Sequence, residues 1–174
     1  MTEAEPESDA SGDDAVATID QATFRTVLGH FATGITVITA LLDGEPVGLA
    51  ANSFTSVSLD PPLVLFCAAK SSTTWPSIQK AGVFCVNILS DTQEDVSRLF
   101  AAKGADRFQA LGYHSAATGA PVLHDALAYI DCRIEGEHDA GDHIIVVGRV
   151  LALELQHEGR PLLFFRGGYG RFGV

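Results

Sequence analysis

Apolar positions follow a helical period at first and then switch to the alternation of strands. After Asp20, the residues Phe24, Val27, Leu28 and Phe31 fall at i, i+3, i+4 and i+7, which makes one apolar stripe on a helix. Thr33-Gly34 marks the predicted end of that helix. Ile35 to Leu42 alternates β-branched residues and predicts a strand. Asp43-Gly44 signals a hairpin, because Gly tolerates the positive φ of a primed turn. Glu45 to Ala51 is the returning strand, with Pro46 near its start, where a missing N–H does little harm. Asn52 to Leu59 is a third extended piece, and Pro61-Pro62 breaks the chain before the strand Leu63 to Ala68.

A short helix is predicted over Thr74 to Lys80, with Pro76 in its first turn and Gly82 as its stop. Val83 to Leu89 reads as a buried strand. Asp91 to Phe100 is a second helix, opened by Asp91 and Glu94 in a capping-box pattern. Gly104 to Leu111 predicts a short helix or turn. Ala126 to Glu137 and His143 to Leu155 are two long strands joined by Asp139-Ala140-Gly141-Asp142, and Pro161 to Phe165 is a last strand. No internal repeat is visible. Many strands and few, short helices predict a mainly β fold, a barrel with helices at its periphery. Helices do not alternate with strands, so a doubly wound sheet is disfavoured.

Composition narrows the class. The chain has 174 residues, 47% hydrophobic and 19% charged, which fits one folded domain with a sizeable core. The formal net charge of −11 is uneven: residues 1–20 hold seven acids and no Lys or Arg. Residues 1–19 therefore read as a solvated, disordered acidic tail, and residues 20–174 as a single domain. Residues 21–174 carry 15 acids against 11 bases, and an acidic body argues against nucleic acid as a partner. No apolar run reaches the roughly 18 to 20 residues of a membrane span. The acidic start lacks a signal-peptide pattern, so a cytoplasmic location is expected. Cys67, Cys85 and Cys132 form no C-x-x-C pair and read as buried, reduced thiols.

Three segments could carry chemistry. Ser71-Ser72-Thr73-Thr74 opens a predicted helix beside Lys70, where free N–H groups, hydroxyls and a cation suit a phosphate. The same residues also suit plain N-capping by Thr73 or Thr74. Asn52 to Ser58 offers an amide and several hydroxyls to the polar edge of a ring, or forms the polar face of an edge strand. His138-Asp139-Ala140-Gly141-Asp142-His143 gathers two histidines and two acids. Their spacing misses the i, i+4 pairing of a zinc helix, so a histidine at a hairpin mouth or an ordinary polar turn is the preferred reading, and no metal is expected. Gly168-Tyr169-Gly170-Arg171-Phe172-Gly173 matches the dinucleotide fingerprint G-x-G-x-x-G. No helix can be placed after it, so a Rossmann reading is rejected, although Tyr169 and Arg171 remain candidate ligand contacts.

Taken in order, these pieces resemble a known family. The carrying residues are Phe24-Arg25, Phe31 to Val37, Gly48 to Ser58, Asp60 to Val64, Ser71 to Trp75, Phe84 to Asn87, Gly141-Asp142-His143 and Pro161 to Leu163. The sequence resembles the short-chain flavin reductases with the FMN-binding split-barrel fold, the reductase components of two-component flavin monooxygenases. The resemblance implies a split β-barrel, a homodimer, FMN or FAD as flavin, and NADH or NADPH as hydride donor. It implies an oxygenase component that receives the reduced flavin. It sets Thr33, Ala51, Asn52, Ser53, Ser56 and Ser58 along the flavin ring and ribityl chain, and Ser71, Ser72, Thr73 and Thr74 on its phosphate. Lys70 and Lys103 are candidate phosphate partners by charge, and Arg107 with Phe108 matches a basic-aromatic pair near the flavin. Gly141, Asp142 and His143 would receive the nicotinamide, with His143 beside the flavin ring. A flavin-retaining oxidase or nitroreductase, and a non-catalytic flavin-binding protein, are the alternative readings.

Overall fold

The computed structural model describes residues 18–104, 106–109 and 111–173. Most of the predicted acidic tail, residues 1–17, lies outside them. The elements in chain order are α1 (Gln21–Leu28), β1 (Thr33–Gly34), β2 (Thr36–Leu42), β3 (Glu45–Ala51), β4 (Thr55–Leu59), β5 (Pro62–Ala69), α2 (Trp75–Ala81) and β6 (Val83–Ile88). They continue with α3 (Glu94–Ala101), β7 (Tyr113–Ser115), β8 (Pro121–Leu123), β9 (Ala128–Ala140), β10 (His143–Leu155), β11 (Leu162–Phe165) and β12 (Gly168–Arg171). The protein is mainly β, as its alternation predicts.

Seven strands form one antiparallel sheet in the order β3-β2-β6-β9-β10-β5-β4. Its two edge strands, β3 and β4, are consecutive in the chain and are joined only by Asn52, Ser53 and Phe54. Four Cα steps span at most about 14 Å, whereas the edges of a flat seven-stranded sheet lie roughly 29 Å apart. The sheet therefore rolls until its edges meet at this corner. Ser53 pins the corner to β5: its Oγ accepts from the Cys67 N–H at 2.9 Å and donates to the Cys67 carbonyl at 3.3 Å.

One face of the sheet turns Ile38, Val64, Phe66, Phe84, Val86 and Val146 into a core that Trp75 and Ile78 of α2 close. Phe66 meets Trp75 and Phe84 edge-on, with centroids 5.9 and 5.3 Å away. Gly148 makes room for this packing, since a Cβ there would lie 2.5 Å from the Phe84 ring. The other face buries Val37, Leu89, Phe100, Leu123 and Leu162. It is covered by α3 and by two small sheets, β1-β11-β12 and β7-β8.

Several predicted elements shift. Helix α1 is capped by Asp20, whose carboxylate accepts from the Thr23 N–H at 2.9 Å. It ends at Leu28, five residues before the predicted stop. Thr33-Gly34 instead pairs with β11, Thr33 opposite Phe164. None of the apolar stripe is buried, and Phe31 is 77% exposed. The capping box moves too: the Asp91 N–H donates to the Arg160 carbonyl. The Ser90 N–H donates to Gln93 Oε1 at 3.0 Å, so α3 starts at Glu94. No helix forms over residues 104–111 among the described positions. The long hairpin keeps Asp139 and Ala140 in strand, which leaves Gly141-Asp142 as the whole turn, with Gly141 at φ +68°. The Gly168–Arg171 stretch is a strand paired with β11, which removes the dinucleotide fingerprint. Asp43-Gly44 takes the two positive φ values, 54° and 89°, that its hairpin requires. No described helix is long and apolar enough to cross a membrane.

Candidate functional site

The rolled corner opens into a cavity of about 380 Å³, within the range of small-molecule sites. One wall comes from the end of β3 and the corner, Leu49 to Ser53. A second comes from Cys67, Ala68 and Ala69 at the end of β5, and from the Ser71–Thr74 loop. The third is the chain leaving α3, Phe100 to Lys103, with Arg107. His143 completes the rim, because the register sets it opposite Ala69 at the end of β5.

Of the residues expected from the sequence, the cavity gathers Ala51, Asn52, Ser53, Ser71, Ser72, Thr73, Thr74, Lys103, Arg107 and His143. The others lie off its wall. Thr33 sits on β1 with its hydroxyl buried and unpartnered among the described residues. Ser56 and Ser58 are on edge strand β4, on either side of a bulge. Lys70 is drawn away by Asp139, at 2.6 Å. Gly141 and Asp142 form the hairpin tip. Tyr169 packs under Arg98, 4.6 Å from its ring, and shares a 2.9 Å hydrogen bond with Ser97. Arg171 pairs with Leu162 on the small sheet. Phe108 lines a neighbouring cavity.

The sequence reading missed Leu49, Ala50, Cys67 to Ala69 and Phe100 to Ala102. One signal for the last group was available. Gly48 lies inside a strand, where glycine often marks close approach, and a Cβ there would sit 2.7 Å from the Phe100 ring. This contact seats α3 on β3 and brings Lys103 to the cavity.

The electrostatics of the site oppose those of the chain. Its wall contains Lys103 and Arg107 and no Asp or Glu, in a protein of net charge −11. Arg107 is fixed by three bonds. Its Nη1 donates to the Gly48 carbonyl at 3.0 Å and to Thr74 Oγ1 at 2.9 Å, and its Nη2 donates to the Ala102 carbonyl at 2.7 Å. Its Nε is buried without a partner among the described residues. Thr74 is the N-cap residue of α2 but its hydroxyl makes no cap bond; Ser72 Oγ instead accepts from the N–H groups of Thr74 and Trp75 at 3.3 and 3.2 Å.

His143 Nδ1 lies 2.7 Å from Asp142 Oδ1, and this bond holds the Asp142 carboxyl below the usual carboxylate range. Burial pushes the Cys132 thiol up to about 12 and the Cys85 thiol higher still, so neither supplies a thiolate near neutrality. The register sets His138 opposite Ile145 and His143 opposite Ala140. Among the described residues no cluster of three or more His, Cys, Asp or Glu could hold a metal. The arrangement suits a flat body against apolar β3 and β5, hydroxyl and amide contacts along it, and an anionic end at Thr73, Thr74, Lys103 and Arg107.

Comparison with known proteins gives the same direction. Residues 28–173 match the profile of the flavin reductase like domain. The chain is 48% identical over 164 residues to the reductase subunit HsaB of a flavin-dependent monooxygenase from Rhodococcus jostii strain RHA1, covering 93% of this chain and 84% of that protein. It is 48% identical over 157 residues to a flavin reductase of Pseudomonas putida, covering 90% and 92%. The crystal structure of a nitrilotriacetate monooxygenase component B homologue from Mycobacterium thermoresistibile superposes with a TM-score of 0.86 at 46% identity, covering 88% and 87%.

Proposed function

The chain belongs to the flavin reductase-like domain family, and from that premise we propose that it is an NAD(P)H:flavin oxidoreductase whose reduced flavin passes to a separate monooxygenase component. The observation that carries this reading is the acid-free, hydroxyl-lined cavity with two cations in an acidic protein. Flavin held there would supply the two-electron acceptor, taking a hydride from the reduced nicotinamide and a proton from solvent, so that the two electrons lost by NAD(P)H would be gained by the flavin.

The protein's part is binding and orientation. Ser71, Thr73 and Thr74 with Lys103 and Arg107 hold the phosphate. Ala51, Asn52 and Ser53 lie along the ring and its chain. His143 stands at the rim, its imidazole oriented by Asp142, and sets the nicotinamide ring over the flavin. His143→Ala is expected to slow single-turnover flavin reduction about 10- to 100-fold while flavin affinity changes far less. Stopped-flow absorbance checks this, and an unchanged rate removes His143 from the role.

Residues 20–174 act as one reductase unit, and the rolled sheet is read as the split barrel of the family. A homodimer is the proposed assembly. Past Arg149, β10 runs beyond β5 and exposes Leu151, Leu153 and Leu155, the last 79% exposed. A second copy covering this row explains why leucines stand there. Leu153→Glu is expected to halve the mass seen by sedimentation; an unchanged mass contradicts that surface. Oxidation of NADH and of NADPH, assayed with FMN, FAD and riboflavin, tests the activity itself. Flavin binding without oxidation of either donor would replace this reading with that of a flavin carrier.

A further inference from the structure

A separate cavity of about 310 Å³ lies at the start of α3, whose other end borders the first. The two cavities share no wall residue. Phe100 lines the first and Leu123 the second, and both belong to one packed cluster with Val96, Phe108 and Leu111, so core separates them. Two segments nevertheless run from one cavity to the other. Helix α3 places Val96 on the second wall and leads to Phe100 and Lys103 on the first. A turn closed by the Leu111 N–H, which donates to the Phe108 carbonyl at 3.2 Å, leads from Arg107 on the first wall to Leu111 on the second. Each cation of the first cavity is thus tied to a residue of the second.

The second cavity has a fixed wall. Gln93 is buried there; its Oε1 accepts from the Ser90 N–H at 3.0 Å and its Nε2 donates to the His124 carbonyl at 2.9 Å. The His124 N–H donates to the Gly112 carbonyl at 3.0 Å, and its ring stacks on His114 with centroids 6.0 Å apart. A Cβ on Gly112 would lie 2.3 Å from His124 Nδ1, so glycine leaves the space that this ring needs. An imidazole therefore stands with the apolar Val96, Leu111 and Leu123. The wall has no Lys or Arg, and its Asp125 carboxylate has no ion-pair partner among the described residues. A helix start favours an anion, but Glu94 and Asp95 occupy the first turn of α3, and Asp125 adds a third acid at this end. This chemistry selects against phosphates and fits a small flat apolar body that carries one cationic donor.

We infer that this cavity is a regulatory site for a small aromatic amine, and that its occupancy tightens flavin binding. The coupling rests on the flavin-binding reading of the first cavity; the amine site does not. An amine that packs against Val96 and Leu111 holds one end of both connecting segments. A flavin phosphate on Lys103 and Arg107 holds the other end. Each ligand orders what the other needs, which makes the coupling positive and reciprocal.

The test is calorimetric titration of the full-length protein with phenethylamine, phenylacetate and butylamine. Phenethylamine is expected to bind at least about tenfold more tightly than either of the others. Asp125→Asn keeps a side chain that tolerates the φ of +63° at this position, so the thermal melt should not change. It is expected to weaken phenethylamine about three- to tenfold. Saturating phenethylamine is expected to lower the flavin dissociation constant at least about threefold, and saturating flavin to lower that of the amine by the same factor. No binding of phenethylamine, or equal binding of either comparison compound, overturns the inference. So does a folded Asp125→Asn that binds the amine unchanged. Displacement of the amine by flavin overturns it too, because the two then share the first cavity. Flavin affinity that the bound amine leaves unchanged overturns the regulatory role. Amine binding without any flavin binding supports the amine site and defeats the reading of the first cavity, an outcome distinct from loss of coupling.

Discussion

Arg107→Ala is expected to weaken flavin binding about 10- to 100-fold. A charge-assisted hydrogen bond contributes about 1.5–3 kcal/mol, and each 1.4 kcal/mol is tenfold in affinity. Arg107 supplies one of the two cations on the cavity wall, and its position does not depend on ligand. The Gly48 carbonyl, Thr74 Oγ1 and the Ala102 carbonyl hold its guanidinium in place beforehand. The substitution also releases those acceptors, so thermal stability should fall modestly. Arg107→Lys separates the two effects: it keeps the charge but cannot bond three acceptors spread around a planar fork. Its affinity should lie between wild type and Ala. Titration followed by flavin fluorescence checks both, and Arg107→Ala within twofold of wild type would remove the residue from the site.

The largest loss of stability is expected at Asn87. Its side chain is fully buried on β6 and ties three segments together. Nδ2 donates to the Val37 carbonyl at 3.2 Å, with Thr39 Oγ1 and the Pro121 carbonyl at 3.1 and 3.4 Å. Oδ1 accepts from the Leu123 N–H at 2.7 Å. Asn87→Ala leaves a buried N–H and several acceptors unpaired and opens a void, for a cost of about 3–4 kcal/mol. For a protein of this size the midpoint should fall by roughly 10 °C. Asn87→Asp should also destabilise, because a carboxylate cannot donate to the Val37 and Pro121 carbonyls. Thermal and denaturant melts measure the loss, and a loss under about 1 kcal/mol would contradict the role given to this network.

The difference between what could be read early and what could not has physical causes. Strand β2 announces itself by its β-branched residues, β5 and β6 by apolar runs that follow Pro or Gly, and Asp43-Gly44 marks the hairpin that returns the chain as β3. The resemblance put Ser71–Thr74, Asn52-Ser53, Arg107 and His143 in one site before any geometry was available, and Lys103 was added on charge alone. Local pattern misled wherever a distant segment claimed the same atoms. Asp91 looked like a cap, but its N–H is taken by Arg160, far along the chain. Lys70 looked like a phosphate partner, but Asp139 of the long hairpin holds it. The α1 stripe has the spacing of a core helix, yet Phe24, Val27, Leu28 and Phe31 remain exposed. Periodicity shows that a face is apolar, not what covers it. Strands β7 and β8 were missed because three-residue strands carry too little alternation to read.

Anaerobic stopped-flow mixing of the protein and oxidised flavin with NADH or NADPH tests the central claim most directly. The flavin absorbance should bleach with one equivalent of donor oxidised per flavin, far faster with the protein than without it. Flavin that binds but stays oxidised with both donors would contradict the assignment of this cavity to hydride transfer.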